Sequence, residues 1–355
     1  MALRLSSLIC LVILSSFVLS GSCSNKQVRT IQTKYGVYDC IDFYKQPAFS
    51  HPLLKNLTSK GIPNIVEHQG RKTGGFGLGV GEGGCPIGTI PILRTNADSS
   101  NFTQPRSLPS NSEEQCVAVV HTRADLRKRF FGVDGSISIY KPRAQNTQWS
   151  SARVKLTNAN DYIEAGWMVN PDLFKDYEAH FYAKYMTFQT GCINLQCPGF
   201  VQVSKDVRLG NVPDRYSVVG GVQVFWNISI VKHQDDGNWW LSLISTSTFQ
   251  VGYWPKELFA SLREFATQVE FGGEINSGPL QIQLPEMGNG AKAVYDYKRS
   301  AFILHATVVD ESFKNVNPQD TEKFTNCNEP YTVLDAGYQG DYAGRAIFFG
   351  GPWNY

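Results

Sequence analysis

The chain has 355 residues, of which 12% are aromatic and only 18% charged, with 32 glycines. This excludes a disordered chain and suits a turn-rich, aromatic-packed β protein, long enough for a β-sandwich with a segment ahead of it. A net charge of +2 gives no electrostatic reason to expect nucleic acid or an anionic membrane as partner.

Residues 1–24 read as a secretory signal peptide. Arg4 supplies the positive start, Leu8 to Leu19 the short apolar core, and Gly21, Ser22 and Ser24 the small residues of a cleavage site. The apolar run is too short to span a bilayer. The expected product is therefore secreted, where disulfides are the default for the remaining six cysteines. Cys192 and Cys197 would close a small loop, and Cys40 and Cys85 a unit of their own, leaving Cys116 and Cys327. Sequons at Asn56, Asn101 and Asn227 are the expected glycosylation sites.

A small unit follows the signal. Tyr38–Tyr44 reads as a strand and Pro47–Leu54 as a turn-rich docking segment. Gly79 to Gly84 formally fits a dinucleotide-binding G-x-G-x-x-G, but Cys85-Pro86 forbids the helix that motif needs, so the stretch reads as a loop. Residues 94–114 are polar, with Pro105 and Pro109, and read as a linker. Short strands then crowd the chain, at Val117–His121, Ile137–Tyr140, Val201–Ser204, Val222–Val231, Trp239–Ser245, Phe302–Val309 and Ala346–Phe349. Asp134-Gly135, Gly220-Gly221 and Asp236-Gly237-Asn238 read as turns between them. One amphipathic helix is expected after Pro255, with Leu258, Phe259, Leu262, Phe265 and Ala266 as its apolar stripe. Many strands with one helix predict an all-β, antiparallel β-sandwich.

Two strands carry the candidate chemistry. With a period of two, Tyr162–Val169 sets Glu164 and Gly166 on one face, and Val269–Ile275 sets Glu270, Gly272 and Glu274 on one face. A glycine two residues from a carboxylate clears room for a substrate backbone, so Glu164 and Glu274 are a candidate acid/base pair. The commoner source of such a pattern is a pair of solvated glutamates on an outer sheet face. Gly166, Trp167, Gly272 and Gly273 beside the pair, with Tyr253 and Trp254 from the run entering the helix, are the candidate substrate-binding residues. No zinc motif or Gly-x-Ser-x-Gly elbow is present, so neither a metal nor a cofactor is expected. Read this way, the residues leave open a two-carboxylate glycosidase and a non-catalytic cell-wall or carbohydrate-binding module.

The runs Tyr162-Ile163-Glu164-Ala165-Gly166-Trp167, Gly191–Gln202, Gly237-Asn238-Trp239-Trp240, Val251–Pro255, Glu270–Glu274 and Phe349–Pro352 resemble the neprosin family of plant secreted proteins. Asp39–Asn56 resembles that family's activation peptide. The resemblance implies an acid-active glutamic endopeptidase that cleaves after proline, made as a zymogen, with Glu164 and Glu274 catalytic. Residues 25–109 would then be the activation prosegment and linker, and 110–355 the catalytic β-sandwich. The implied partners are proline-containing peptides or proteins and the chain's own prosegment as intramolecular inhibitor, in a monomer of the apoplast or cell wall. Which glutamate is base and which acid stays open.

Departures from the family pattern bear on pH and subsites. Glu286 replaces an amide expected near the site, Phe271 a tryptophan, and Tyr185-Met186-Thr187 a Tyr-Trp-Thr run. The final cysteine expected after Gly-Gly-Pro is absent, which leaves the pairing of Cys116 with Cys327 open. Self-cleavage is expected in Gln104–Ser110, with acid weakening prosegment contacts made by Asp39, Asp42 or Glu67.

Overall fold

The computed structural model describes residues 29–54, 83–94 and 114–353, apart from 124, 126, 280–282 and 328. Asn56, Asn101, Glu67 and the expected cleavage segment Gln104–Ser110 lie outside the described residues. Three antiparallel strands form the N-terminal unit: β1 (Thr30–Thr33), β2 (Gly36–Asp42) and β3 (Thr89–Leu93), stapled by Cys40–Cys85. β2 stops at Asp42 rather than running to Tyr44, because the Asp42 carboxylate accepts from Tyr44 N and starts a 3-10 turn at Phe43–Lys45. Two further 3-10 turns, Pro47–Ser50 and Pro52–Leu54, carry Ala48 and Leu54 into the main core.

The larger unit is a sandwich of two antiparallel sheets. Its strands are β4 (Gln115–Thr122), β5 (Gly132–Ser138), β6 (Trp149–Asn158), β7 (Asp161–Val169), β8 (His180–Met186), β9 (Gly191–Ile193), β10 (Val201–Gln202) and β11 (Phe225–Lys232). They continue with β12 (Trp239–Ile244), β13 (Thr248–Trp254), β14 (Gln268–Asn276), β15 (Ala301–Val309), β16 (Asn315–Val316), β17 (Thr321–Thr325), β18 (Thr332–Tyr338) and β19 (Arg345–Gly350). One sheet has seven strands in the order β17-β4-β14-β6-β7-β8-β9. The other runs β10-β13-β12-β11-β5-β15-β19-β18, with β16 paired to β15.

Between the sheets lies one apolar core. Ala118, Val154, Ala165, Trp167 and Phe271 enter it from the seven-stranded sheet, and Val133, Ile137, Ile230, Ile303 and Phe349 from the other. Alternation decides which residues enter, since every second side chain of a strand points the same way. Asp134-Gly135 is not a turn but the middle of β5, where a side chain on Gly135 would meet Ile303 at 2.8 Å.

The expected amphipathic helix after Pro255 does not form. Lys256–Leu258 is a single 3-10 turn, and the backbone beyond it is held by side chains from elsewhere. Asp161 accepts from Ser261 N and Leu262 N, Asn158 donates to Ser261 O and Phe265 O, and Trp239 Nε1 donates to Leu262 O. With those groups satisfied externally, the stretch has no need of i→i+4 bonds. Leu258, Phe259, Leu262 and Ala266 still bury, without helical periodicity. Among the described residues the one α-helical stretch is the single turn Pro171–Phe174, capped by Asn170.

Cys192 pairs with Cys197, and Cys116 pairs with Cys327, tying β4 to the loop after β17. Neither bridge crosses to the N-terminal unit. Among the described residues no helix is long and apolar enough to cross a membrane.

Candidate active site

The site is built on the outer face of the seven-stranded sheet. Register places Glu270, Lys155, Glu164 and Lys184 directly opposite one another across β14, β6, β7 and β8. His121 of β4 and Glu322 of β17 extend the row past Glu270, so acidic and basic side chains alternate across six strands. The next row holds Gly272, Arg153, Gly166 and Tyr182, and the row after it Glu274, Ser151, Met168 and His180. Glu164 and Glu274 thus sit two rows apart, and Arg153 lies between them.

Both candidate carboxylates are buried, Glu164 at 1% and Glu274 at 8% exposure, so neither is a solvated surface glutamate. Burying a charge is costly unless it is paired, and here each one is. Arg153 Nε donates to Glu274 Oε2 at 2.8 Å and lies 3.3 Å from Glu164 Oε2, while Arg153 Nη1 donates to Glu270 Oε2 at 3.0 Å. On its other side Glu164 Oε1 accepts from the Tyr182 hydroxyl at 3.1 Å and faces Lys184 Nζ at 3.4 Å. Glu164 Oε2 accepts no hydrogen bond. The Tyr162 ring lies under both lysines, 4.4 Å from Lys155 Nζ and 5.2 Å from Lys184 Nζ.

The electrostatics follow from this packing. Burial alone would push Glu274 up, but Arg153, Lys184 and Lys155 outweigh it and hold the carboxyl below its ordinary value. Burial opposes ionisation of Glu270 too, and Lys155 and Arg153 overcome it, bringing the carboxyl down to about 2. Burial disfavours the Lys184 ammonium, yet Glu164 keeps it charged. The Tyr182 hydroxyl, buried beside Glu164, is pushed well above its ordinary value and stays a donor.

The glycines do more than clear a floor. A side chain on Gly166 would meet Ala152 O at 1.9 Å, and one on Gly272, whose φ is +150°, would meet Ala118 O at 2.3 Å. The sheet itself demands them, and on the outer face they leave Arg153 flanked by two strands without side chains. Of the residues expected to bind substrate, Gly166 and Gly272 share the site face, and four do not. Trp167 points into the core, fully buried, and donates to Ser138 O; Gly273 faces Met287 and Phe349. Tyr253 packs at a tilt against Trp240, and Trp254 is buried against Phe200, both in the other sheet. Strand period already assigns Trp167 and Gly273 to the face opposite the glutamates.

Other expectations are also corrected. Glu286 does not join the site: it takes Arg143 N, the Arg143 guanidinium and Trp353 Nε1. Asp39 is held by Arg94 and Thr30, and Asp42 by Tyr44, all within the N-terminal unit. Docking instead uses Gln46, whose amide donates to Gln202 O and accepts from Gln202 N, filling the edge of β10 as a strand residue would. Asn227 has both ends of its amide bonded: its oxygen accepts from the Ser136 hydroxyl and its nitrogen donates to Ile244 O.

Sequence reading missed Arg153, Lys155, Lys184 and Tyr182. Their signal was present: Ser151-Ala152-Arg153-Val154-Lys155-Leu156 alternates polar and apolar, placing both cations on one face. Trp149, Met168 and Tyr182, with Ile193 against them, form an apolar cluster beside the charged rows. Among the described residues no group of His, Cys, Asp and Glu is arranged to hold a metal.

The outer sheet face thus buries two carboxylates in contact with one guanidinium, an arrangement in which one proton can be shared between two coupled carboxyls. Residues 146–352 match the family model described as Neprosin, and residues 30–126 the model described as Neprosin activation peptide. The chain belongs to the neprosin family and is a glutamic peptidase that carries an activation peptide ahead of its catalytic domain. Among solved structures it is similar to scytalido-glutamic peptidase with a peptide-based transition state analog, at 8% identity and TM-score 0.36, covering 66% of this chain and 97% of that one. It is also similar to SCP-B, a member of the Eqolisin family of peptidases, in complex with the tripeptide Ala-Ile-His, at 9% identity and TM-score 0.34, covering 66% and 96%.

Proposed function

We propose that this protein is a secreted, acid-active endopeptidase that hydrolyses peptide bonds after proline with Glu274 as base and Glu164 as acid. The observation that carries the assignment is the unequal hold of Arg153 on the two carboxylates. Protonating Glu274 Oε2 breaks a 2.8 Å charge-assisted bond from Arg153 Nε, whereas protonating Glu164 Oε2 breaks none. In acid the pair's proton therefore goes to Glu164. Glu274, still ionised, takes a proton from the attacking water. Glu164 polarises the carbonyl oxygen through its O–H and, as the C–N bond breaks, gives that proton to the departing nitrogen; the proton that Glu274 took from water then returns to Glu164. The Tyr182 hydroxyl, donating to Glu164 Oε1, fixes which oxygen carries the proton. The cluster of Trp149, Met168, Tyr182 and Ile193 supplies an apolar wall for a proline ring.

The activation peptide, residues 25–109 with the linker, acts as intramolecular inhibitor until acid self-cleavage in Gln104–Ser110 frees the domain from residue 110 on. No disulfide joins the two units among the described residues, so one cut releases them to non-covalent contact alone. The test is an assay of acid-treated protein on a proline-containing peptide and on a cell-wall glucan between about pH 3 and pH 6. Cleavage after proline, lost in E274Q, supports the reading; glucan turnover, or peptide turnover retained in E274Q, overturns it.

A further inference from the structure

We propose that Arg153 is a positioning residue for the reaction: anchored by Glu270, it holds Glu274 as the ionised partner of Glu164 and confines hydrolysis to acid. The inference rests on the reading of Glu164 and Glu274 as the catalytic pair and concerns a group that touches neither water nor substrate in that scheme. Three features of the site carry it.

First, Arg153 is placed rather than merely present. It is 1% exposed in mid-strand, and its cross-strand neighbours on both sides are glycines, Gly272 and Gly166. With no flanking side chain, the guanidinium reaches carboxylates in the rows above and below. Second, its donors are shared unequally, with hydrogen bonds to Glu274 and Glu270 and a 3.3 Å contact to Glu164. Third, Glu270 is an anchor that acid does not remove. Its carboxyl, brought down to about 2 by Lys155 and Arg153 against the opposing cost of burial, stays charged where an ordinary carboxylate titrates. The guanidinium therefore keeps its position while the pair gains its proton.

The charged and titratable groups facing the pair are few. From β14 come Glu270 and Glu274, from β6 Arg153 and Lys155, from β7 Glu164 and Tyr162, and from β8 His180, Tyr182 and Lys184. His121 on β4 follows Glu270, and Glu322 on β17 lies 3.7 Å from His121. His180 is engaged with Asp176 and Gly210 O, away from the carboxylates. Three carboxylates thus meet three permanent cations, and no proton is required for balance until acid supplies one. Take away Arg153, and three carboxylates share two lysines. The pair then binds a proton at higher pH, and both limbs of the activity profile move up.

The experiment is the pH dependence of kcat/KM and kcat for acid-matured wild type, R153Q and R153K on one proline-containing peptide. R153Q is expected to shift the profile upward by about one pH unit or more, as loss of an adjacent opposite charge does. KM should stay within about twofold, because uniform substrate binding is untouched. R153K, a point charge that cannot bond Glu274 and Glu270 in the same fork, should fall between. A folded R153Q with the wild-type profile overturns the inference. So does a folded R153Q inactive at every pH, which would make Arg153 a catalytic group. If R153Q does not fold, R153K decides by the same shift or its absence. Failure of the underlying reading looks different: wild type then shows no peptide hydrolysis lost in E274Q, whereas failure of this inference leaves that loss in place.

Discussion

Along β6, β7 and β14, successive side chains enter opposite surroundings. Inward, Val154, Ala165, Trp167 and Phe271 meet the other sheet in a dry core, where fit is the only requirement. Outward, Arg153, Glu164 and Glu274 are nearly as buried and Glu270 is half-buried, yet each meets a named charge or hydrogen bond. The inner face tolerates any apolar side chain of suitable volume. The outer face depends on the whole row, since removing one charge strands its partner. The same three strands thus carry stability on one side and the proposed chemistry on the other.

The largest effect expected on that division is from E274Q. Loss of the proposed base should lower kcat by about a thousandfold or more with the melting temperature nearly unchanged. E164Q should fall less, because an amide N–H still polarises a carbonyl. A variant E274Q with near wild-type turnover would remove Glu274 from the chemistry. On the inner face the opposite split is expected. Trp167→Ala should cost about 4 kcal/mol of stability, read by denaturant unfolding, while the pH profile of whatever stays folded is unmoved. A shifted profile there would mean that the two faces are not separable.

A further substitution sharpens the comparison at their boundary. E270Q leaves Arg153 without its anchor and should cost about 3 kcal/mol near neutral pH. The folded carboxyl titrates at about 2, below the ordinary 4.5, so its contribution is complete above the ordinary value and fades as pH falls through the folded one. Stability curves of E270Q and wild type should therefore converge toward pH 2; a constant gap would show that packing, not charge, is lost. The smallest effect belongs to the prosegment. Gln46→Ala removes two bonds to the edge of β10, about 1 kcal/mol each, and should hasten acid maturation several-fold by N-terminal sequencing over time. Unchanged maturation would mean that release is limited elsewhere.

How far the residues alone could be read differs between these parts. Glu164, Glu270 and Glu274 were legible as one-face residues because a period of two needs only neighbouring positions. Arg153 was equally alternating, but its partners come from strands about 11 and 121 positions away, and their register is not written in any one strand. The stretch after Pro255 misled for a related reason. Its apolar spacing is helical, yet Asp161 and Asn158, about a hundred residues upstream, take its backbone groups.

By itself the amino-acid order determined the antiparallel β-sandwich, the Cys40–Cys85 and Cys192–Cys197 pairs, and the two strands that carry the glutamates. Each depends on short-range alternation, turn residues or the cysteine count, which survive without knowledge of neighbours. Only the tertiary structure decided that the glutamates are buried, that Arg153 joins them, and that Tyr253 and Trp254 belong to the packing of the other sheet. Those properties depend on which strands lie side by side and in what register. Burial and charge pairing exist only between segments that the folded sheet brings together.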